Sequence, residues 1–124
     1  MKVLVVDDFA TMRKIVKNVL KQINIENIVE AENGKHALSV LKSEKVDLII
    51  SDWMMPEMTG IEFLKVCKED DEKKKIPFIM VTAEGQKDSV MEAIKSGVDN
   101  YIVKPFTPDK LKEAIDRARA RAGK

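Results

Sequence analysis

The sequence is short of most residues that mark specialised chemistry. It has one cysteine, Cys67, so no intramolecular disulfide can form and nothing calls for an oxidising compartment. Its one histidine, His36, has no cysteine or second histidine at ligand spacing. Neither sign of charge dominates: 22 Lys and Arg stand against 21 Asp and Glu, a net of +1. That balance excludes a dedicated nucleic-acid binder and a polybasic membrane anchor. No apolar run approaches the ~18 residues of a membrane span. The first residues turn acidic at Asp7-Asp8, too soon for a secretory signal. No repeat, linker or low-complexity stretch is present.

What is present suits one soluble domain. The 124 residues are 44% hydrophobic and 35% charged, and a chain of this length can bury its own core. The expectation is a cytoplasmic monomer, residues 1–124 forming a single domain with no effector domain and no membrane insertion.

Unbroken apolar runs occur at Val3–Val6, Asp47–Ile50, Pro77–Val81 and Tyr101–Val103. Such runs suit parallel strands covered on both faces. The more polar Ile28–Ala31 reads as an edge strand. Between them, apolar residues recur with helical period: Met12, Ile15, Val16, Val19, Leu20 and Ile23, and later Leu111, Ala114, Ile115 and Ala118. Weaker stripes run through Ala37, Leu38 and Leu41, through Ile61, Leu64 and Cys67, and through Val90, Met91 and Ile94. The pattern is (βα) repeated five times. Short connections and right-handed crossovers make that an α/β fold, an open parallel sheet with helices on both faces. The charge run Glu69–Lys75 reads as a solvated loop. The arginines 117, 119 and 121 read as partners of a helix C-terminus, and Cys67 as an inert core thiol.

Ligands of open parallel sheets bind beyond the carboxyl ends of the strands. Asp7 and Asp8 follow the first run, Asp52 the third, Thr82 the fourth, and Lys104 with Pro105 the fifth. Parallel strands bring these side chains to one edge. Three carboxylates cannot share a small volume ionised without compensation. Magnesium, which accepts carboxylate and water oxygens, is the natural remedy, and with Lys104 it leaves the cluster neutral. Asp52 then has the setting of a carboxylate that attacks phosphorus. Any one of these acids taken alone is more simply a turn or cap; Asp8 could cap the first helix.

The segments Asp7-Asp8-Phe9-Ala10-Thr11-Met12-Arg13, Ser51-Asp52-Trp53, Met80-Val81-Thr82-Ala83-Glu84 and Tyr101–Thr107 together resemble a response-regulator receiver domain, most of all those of the chemotaxis regulators. The resemblance covers essentially the whole chain. It implies a flavodoxin-like strand order, 2-1-3-4-5, and a cis Lys104-Pro105 peptide. It implies that Asp52 is the phosphoacceptor. Asp8 and Asp52 would bind Mg²⁺ directly, Asp7 would do so through water, and the backbone carbonyl of Met54 would add a ligand. Thr82, Ala83 and Lys104 would hold the phosphoryl group. Thr82 and Tyr101 would form the switch, with Tyr101 swinging inward. Lys87, Val90, Val98 and Tyr101 would be exposed contacts of the partner surface. The implied partners are a histidine kinase, a flagellar motor switch protein and a phosphatase.

One position departs from the usual chemotaxis pattern. Met54 stands two residues after Asp52, where the best-known chemotaxis regulators carry Asn. A backbone metal contact survives that change, but a thioether cannot orient an attacking water as an amide can. Glu84, two residues past Thr82, fits the pattern.

Other readings compete. Within the receiver reading, the alternative is a phosphorelay shuttle or a stand-alone receiver with another target. A haloacid-dehalogenase-like phosphatase uses an Asp-x-Asp arrangement after its first strand, whereas Asp7 and Asp8 are adjacent. A flavin module needs a phosphate-holding loop there, and Asp7-Asp8 would repel the phosphate. The expected chain is therefore no enzyme beyond catalysing its own phosphorylation and dephosphorylation.

Overall fold

The computed structural model describes residues 1–55, 57–83 and 87–123, without the side chains of Lys87 and Ser89. Five strands alternate with five α-helices. They run β1 (Val3–Val6), α1 (Ala10–Gln22), β2 (Ile28–Ala31), α2 (Gly34–Ser43), β3 (Leu48–Asp52), α3 (Gly60–Glu69), β4 (Phe78–Ala83), α4 (Lys87–Lys95), β5 (Asn100–Lys104) and α5 (Pro108–Arg121). A 3-10 turn, Lys73–Lys75, precedes β4. All pairings are parallel, in the order β2-β1-β3-β4-β5. No described helix is long and apolar enough to cross a membrane.

The strands are buried on both faces because their side chains alternate between two cores. Leu4, Val6, Ile49, Phe78 and Met80 meet Ala37, Phe63, Leu64, Cys67 and Ala93 of α2, α3 and α4. Val3, Val5, Leu48, Ile50, Ile79 and Val81 meet Val16 and Leu20 of α1 and Leu111, Ile115 and Ala118 of α5. Burial pushes the Cys67 thiol up to about 12, so it is an inert core group. Caps place the helices: Asn33 accepts the His36 amide, Thr107 accepts the Lys110 amide, and Thr59 with Glu62 forms a reciprocal capping box. The charge run Glu69–Lys75 is exposed except at the half-buried Asp70 and Lys73, and is laced by local ion pairs such as Lys74–Asp71 at 3.2 Å. Arg117 pairs with Glu113 along α5 at 2.6 Å.

Two expectations from periodicity and one from the family resemblance need correction. Ile15 is exposed, beside the α1 stripe rather than in it. Met91 and Ile94 are also exposed, and Ala93 takes the buried place on α4. Val98, expected as an exposed partner contact, is 4% exposed and packs in the core against the α2–α4 side of the sheet. A helix of nine residues carries too little periodic signal to fix which face meets the sheet.

Candidate functional site

The order of strands reverses between β1 and β3, the point at which open parallel sheets bind ligands beyond the carboxyl ends of their strands. β1 delivers Asp7 and Asp8 to it, and β3 ends on Asp52. The three carboxylates each offer an oxygen within 4.8 Å of the others. From β5, Lys104 donates its ammonium to Asp52 Oδ1 at 3.0 Å. Thr82 is buried in β4, one residue before its end, and Ala83 is the exposed last residue.

Electrostatics keep this cluster under tension. Burial pushes Asp7 up to about 6; the Phe9 amide opposes that shift and the charge of Asp52 adds to it. Burial also raises Asp52, against the hydrogen bond and charge of Lys104, while Asp8 adds repulsion. Two further oxygens await partners. Asp8 Oδ1 and Thr82 Oγ1 are buried with no hydrogen bond among the described residues. Such groups carry a full desolvation penalty. Asp8 does not cap α1: the N-cap is Phe9, without a side-chain bond, and it is Asp7 that accepts the Phe9 amide at 2.9 Å. An all-oxygen acidic set with an unsatisfied buried carboxylate oxygen suits a hard divalent cation. These residues therefore fit a metal of the magnesium kind.

The family is decided by comparison with known proteins. The model of the response regulator receiver domain matches residues 3–116. The chain belongs to the response-regulator receiver family. Strand order at a switch point is a general rule for which chemotaxis regulators are themselves a standard example.

Relatives of the receiver include the chemotaxis protein CheY of Pseudomonas aeruginosa, 47% identical over 94% of each chain. The CheY homolog of Campylobacter jejuni is 50% identical over 94% of this chain and 90% of its own. Among solved structures, the chemotaxis response regulator CheY4 of Vibrio cholerae aligns with a TM-score of 0.83 at 35% identity, covering 94% of this chain and 97% of its own. A response regulator receiver domain protein from Clostridium thermocellum aligns at 0.86 and 28% identity, covering 98% and 96%. The five-stranded 2-1-3-4-5 receiver fold expected from the sequence is thus present, including the cis Lys104-Pro105 peptide.

The remaining expected residues fall in different places. Met54 follows β3 with its side chain 60% exposed. Trp53 is half-buried beside Asp52 and packs on the α2–α4 core. Tyr101 on β5 is exposed and points outward. Val90 is half-buried on α4; Lys87 opens that helix, but its side chain lies outside the described residues, as do Pro56 and Glu84. A groove of about 550 Å³ lined by Val46, Ile76, Pro77 and Arg119 opens at the amino-terminal end of the sheet, remote from the acids.

Two contacts of the site emerge only in the folded chain. Arg13 donates from α1 to the Asp7 carbonyl at 2.6 Å. Gly60, the first residue of α3, lets that helix press on the backbone of Asp52. Arg13 was visible in the motif, but its contact partners are set by tertiary packing.

Proposed function

We propose that this receiver is a phosphorylation-activated switch of a two-component system acting in chemotaxis. In the cytoplasm it would accept a phosphoryl group on Asp52 from a histidine kinase and then bind the flagellar motor switch. The observation that carries the reading is Lys104 against Asp52, at 3.0 Å, beside the carboxylates of Asp7 and Asp8. The chemotaxis assignment is supported by relatives that bear the name chemotaxis protein.

In the proposed step a carboxylate oxygen of Asp52 attacks phosphorus. The P–N bond to the kinase imidazole breaks, and the imidazole retains the electron pair and takes up a proton. Burial dries the nucleophile and raises its pKa, and the hydrogen bond and charge of Lys104 oppose that rise. Asp7, Asp8, Asp52 and the Met54 carbonyl would hold Mg²⁺, which when bound supplies positive charge for the transferring oxygens. The Lys104 ammonium is placed to pass from the carboxylate to a phosphoryl oxygen. The Thr82 hydroxyl, unpaired among the described residues, would gain an acceptor there. Its movement would free space for Tyr101 to turn inward and change the face of α4, β5 and α5. Met91, Ile94, Tyr101 and Val103 supply exposed apolar surface on that face, which would replace Val98 in the partner set. The acyl phosphate ends when water attacks phosphorus and inorganic phosphate leaves. Apart from this self-directed chemistry the chain would turn over no substrate. A partner phosphatase could accelerate the last step.

The test is Trp53 fluorescence during titration with Mg²⁺ and then acetyl phosphate, beside Asp52→Asn. A metal response followed by a donor response, absent in the variant and matched by the mass gain of one phosphoryl group, supports the switch. No donor response and no mass gain would sink it. Purified motor switch protein then tests the target: tighter binding after phosphorylation is expected. Transfer onward to a second histidine protein would instead favour a relay shuttle.

A further inference from the structure

Arg13 is the only cation, among the described residues, that reaches the main chain between the two adjacent carboxylate residues. We propose that Arg13 is a positioning residue, clamped by Glu30, that holds the Asp7–Asp8 turn in the geometry a divalent cation needs. The inference rests on the metal reading of the site given above.

The turn is held at three points. The Asp7 amide donates to the Ala31 carbonyl of β2 at 3.2 Å. The Asp7 carboxylate folds back onto the Phe9 amide at 2.9 Å. The Asp7 carbonyl, which starts the peptide leading to Asp8, accepts from Arg13 Nη1 at 2.6 Å. Only the last of these uses a side chain from outside the turn.

The guanidinium is itself fixed. Its Nε donates to Glu30 Oε1 at 3.1 Å. Lys17, one helical turn on, holds the other Glu30 oxygen at 3.0 Å. Burial opposes charge on Glu30, yet Lys17 and Arg13 outweigh it and hold the carboxylate below its ordinary range. Arg13 therefore spans from the edge strand to the end of β1, using two donors of one rigid fork on two different groups. An ammonium of equal charge has no such fork. Asp8 Oδ1 lies buried at the next residue without a donor among the described residues, so its place is set by the main chain that Arg13 fixes. Groups that orient metal ligands from behind typically change metal affinity by ~10–100-fold when lost.

The experiment measures Mg²⁺ dissociation constants by Trp53 fluorescence for Arg13→Gln, Arg13→Lys, Glu30→Gln and the double variant Arg13→Gln/Glu30→Gln. Stability is followed in parallel by urea unfolding. Arg13→Gln and Arg13→Lys should both weaken binding by about tenfold. Glu30→Gln should weaken it less, and the double variant should be no worse than Arg13→Gln alone. Lys68→Gln, which breaks a partly buried ion pair with Asp99 at the far end of the sheet, should lower stability without changing Mg²⁺ affinity. Wild-type affinity in Arg13→Gln would overturn the proposal. So would full rescue by Arg13→Lys, which would reduce the effect to charge, or additive losses in the double variant. If Arg13→Gln does not fold, the surface change Glu30→Gln decides: unaltered affinity overturns the clamp. A wild-type chain that ignores Mg²⁺ overturns both this inference and the metal reading, whereas normal wild-type binding with unaffected variants overturns this inference alone.

Discussion

Gly60 stands directly against the backbone of Asp52: a Cβ built on Gly60 would lie 2.2 Å from the Asp52 carbonyl oxygen. The same carbon would be 2.9 Å from Met80 Sδ and 3.0 Å from Trp53 Cα. The Gly60 amide also donates to the Trp53 carbonyl at 2.8 Å. The helix that follows the acidic site is thus seated on the residue that ends β3.

Gly60→Ala cannot be accommodated by a side-chain adjustment, since two of the three nearest atoms are backbone. It should cost roughly 1–3 kcal/mol, the range for overpacking. Urea unfolding measures that loss. Acetyl phosphate labelling of the folded variant should be slower than wild type because the Asp52 main chain must move.

Asp7 makes the metal-free chain pH-sensitive. Its pKa rises from 3.8 in the unfolded chain to about 6 when folded. A raised carboxylate favours folding while it is protonated. That contribution is complete below about 4 and is lost as pH rises through about 6. Without metal, Asp7→Asn should therefore be more stable than wild type at pH 7.5, by roughly 1–3 kcal/mol. The difference should shrink towards pH 4. Thermal unfolding in chelator across that range checks it. The reverse sign, with Asp7→Asn less stable at pH 7.5, would refute the account.

Mg²⁺ bound at the proposed site would compete with that proton. Apparent Mg²⁺ affinity should fall as pH drops through about 6, the value of the folded Asp7. Fluorescence titrations of Trp53 at pH 5 and pH 7.5 read the change directly. Equal affinities would show that Asp7 does not sense the ion.

Lys104 supplies the counter-charge of the Asp52 carboxylate and opposes the rise that burial imposes on it. Lys104→Met should leave that carboxylate without its counter-charge and raise its pKa further. Phosphorylation by acetyl phosphate should slow by roughly 10²-fold, the scale of losing one preorganised charged donor. Mass spectrometry over time gives the rate.

Thr82 offers a buried hydroxyl with no partner among the described residues. Thr82→Val removes that polar group at nearly constant shape. The unphosphorylated chain should gain about 1 kcal/mol in stability. The phosphorylated chain should lose the response of β5 and Tyr101, read by amide chemical shifts before and after acetyl phosphate.

Much of the site was legible in the sequence because it sits where apolar runs stop. Asp7, Asp8, Asp52, Thr82 and Lys104 are each at or beside a strand's carboxyl end, and strand ends are local features of composition. The more polar stretch Ile28–Ala31 forms the edge strand β2 with those bounds. Parallel pairing then forces those ends together whatever the details of packing. The strand order itself came from resemblance to a family, since five similar runs do not rank themselves.

Other relationships needed the folded chain. Val98 is buried while Met91 and Ile94 face out, because the sheet and α3, rather than the periodicity of a short helix, choose the face of α4 that is covered. Arg13 reaches Asp7 and Glu30 across two elements separated by up to 17 residues, and no local pattern encodes such a bridge. The contact of Gly60 with Asp52 is a matter of tenths of an ångström. The sequence determined which chemical groups arrive at the sheet edge, through the boundaries of its apolar runs. Only tertiary structure decided how firmly they are held, because that depends on non-local distances and on which polar atoms packing leaves without water.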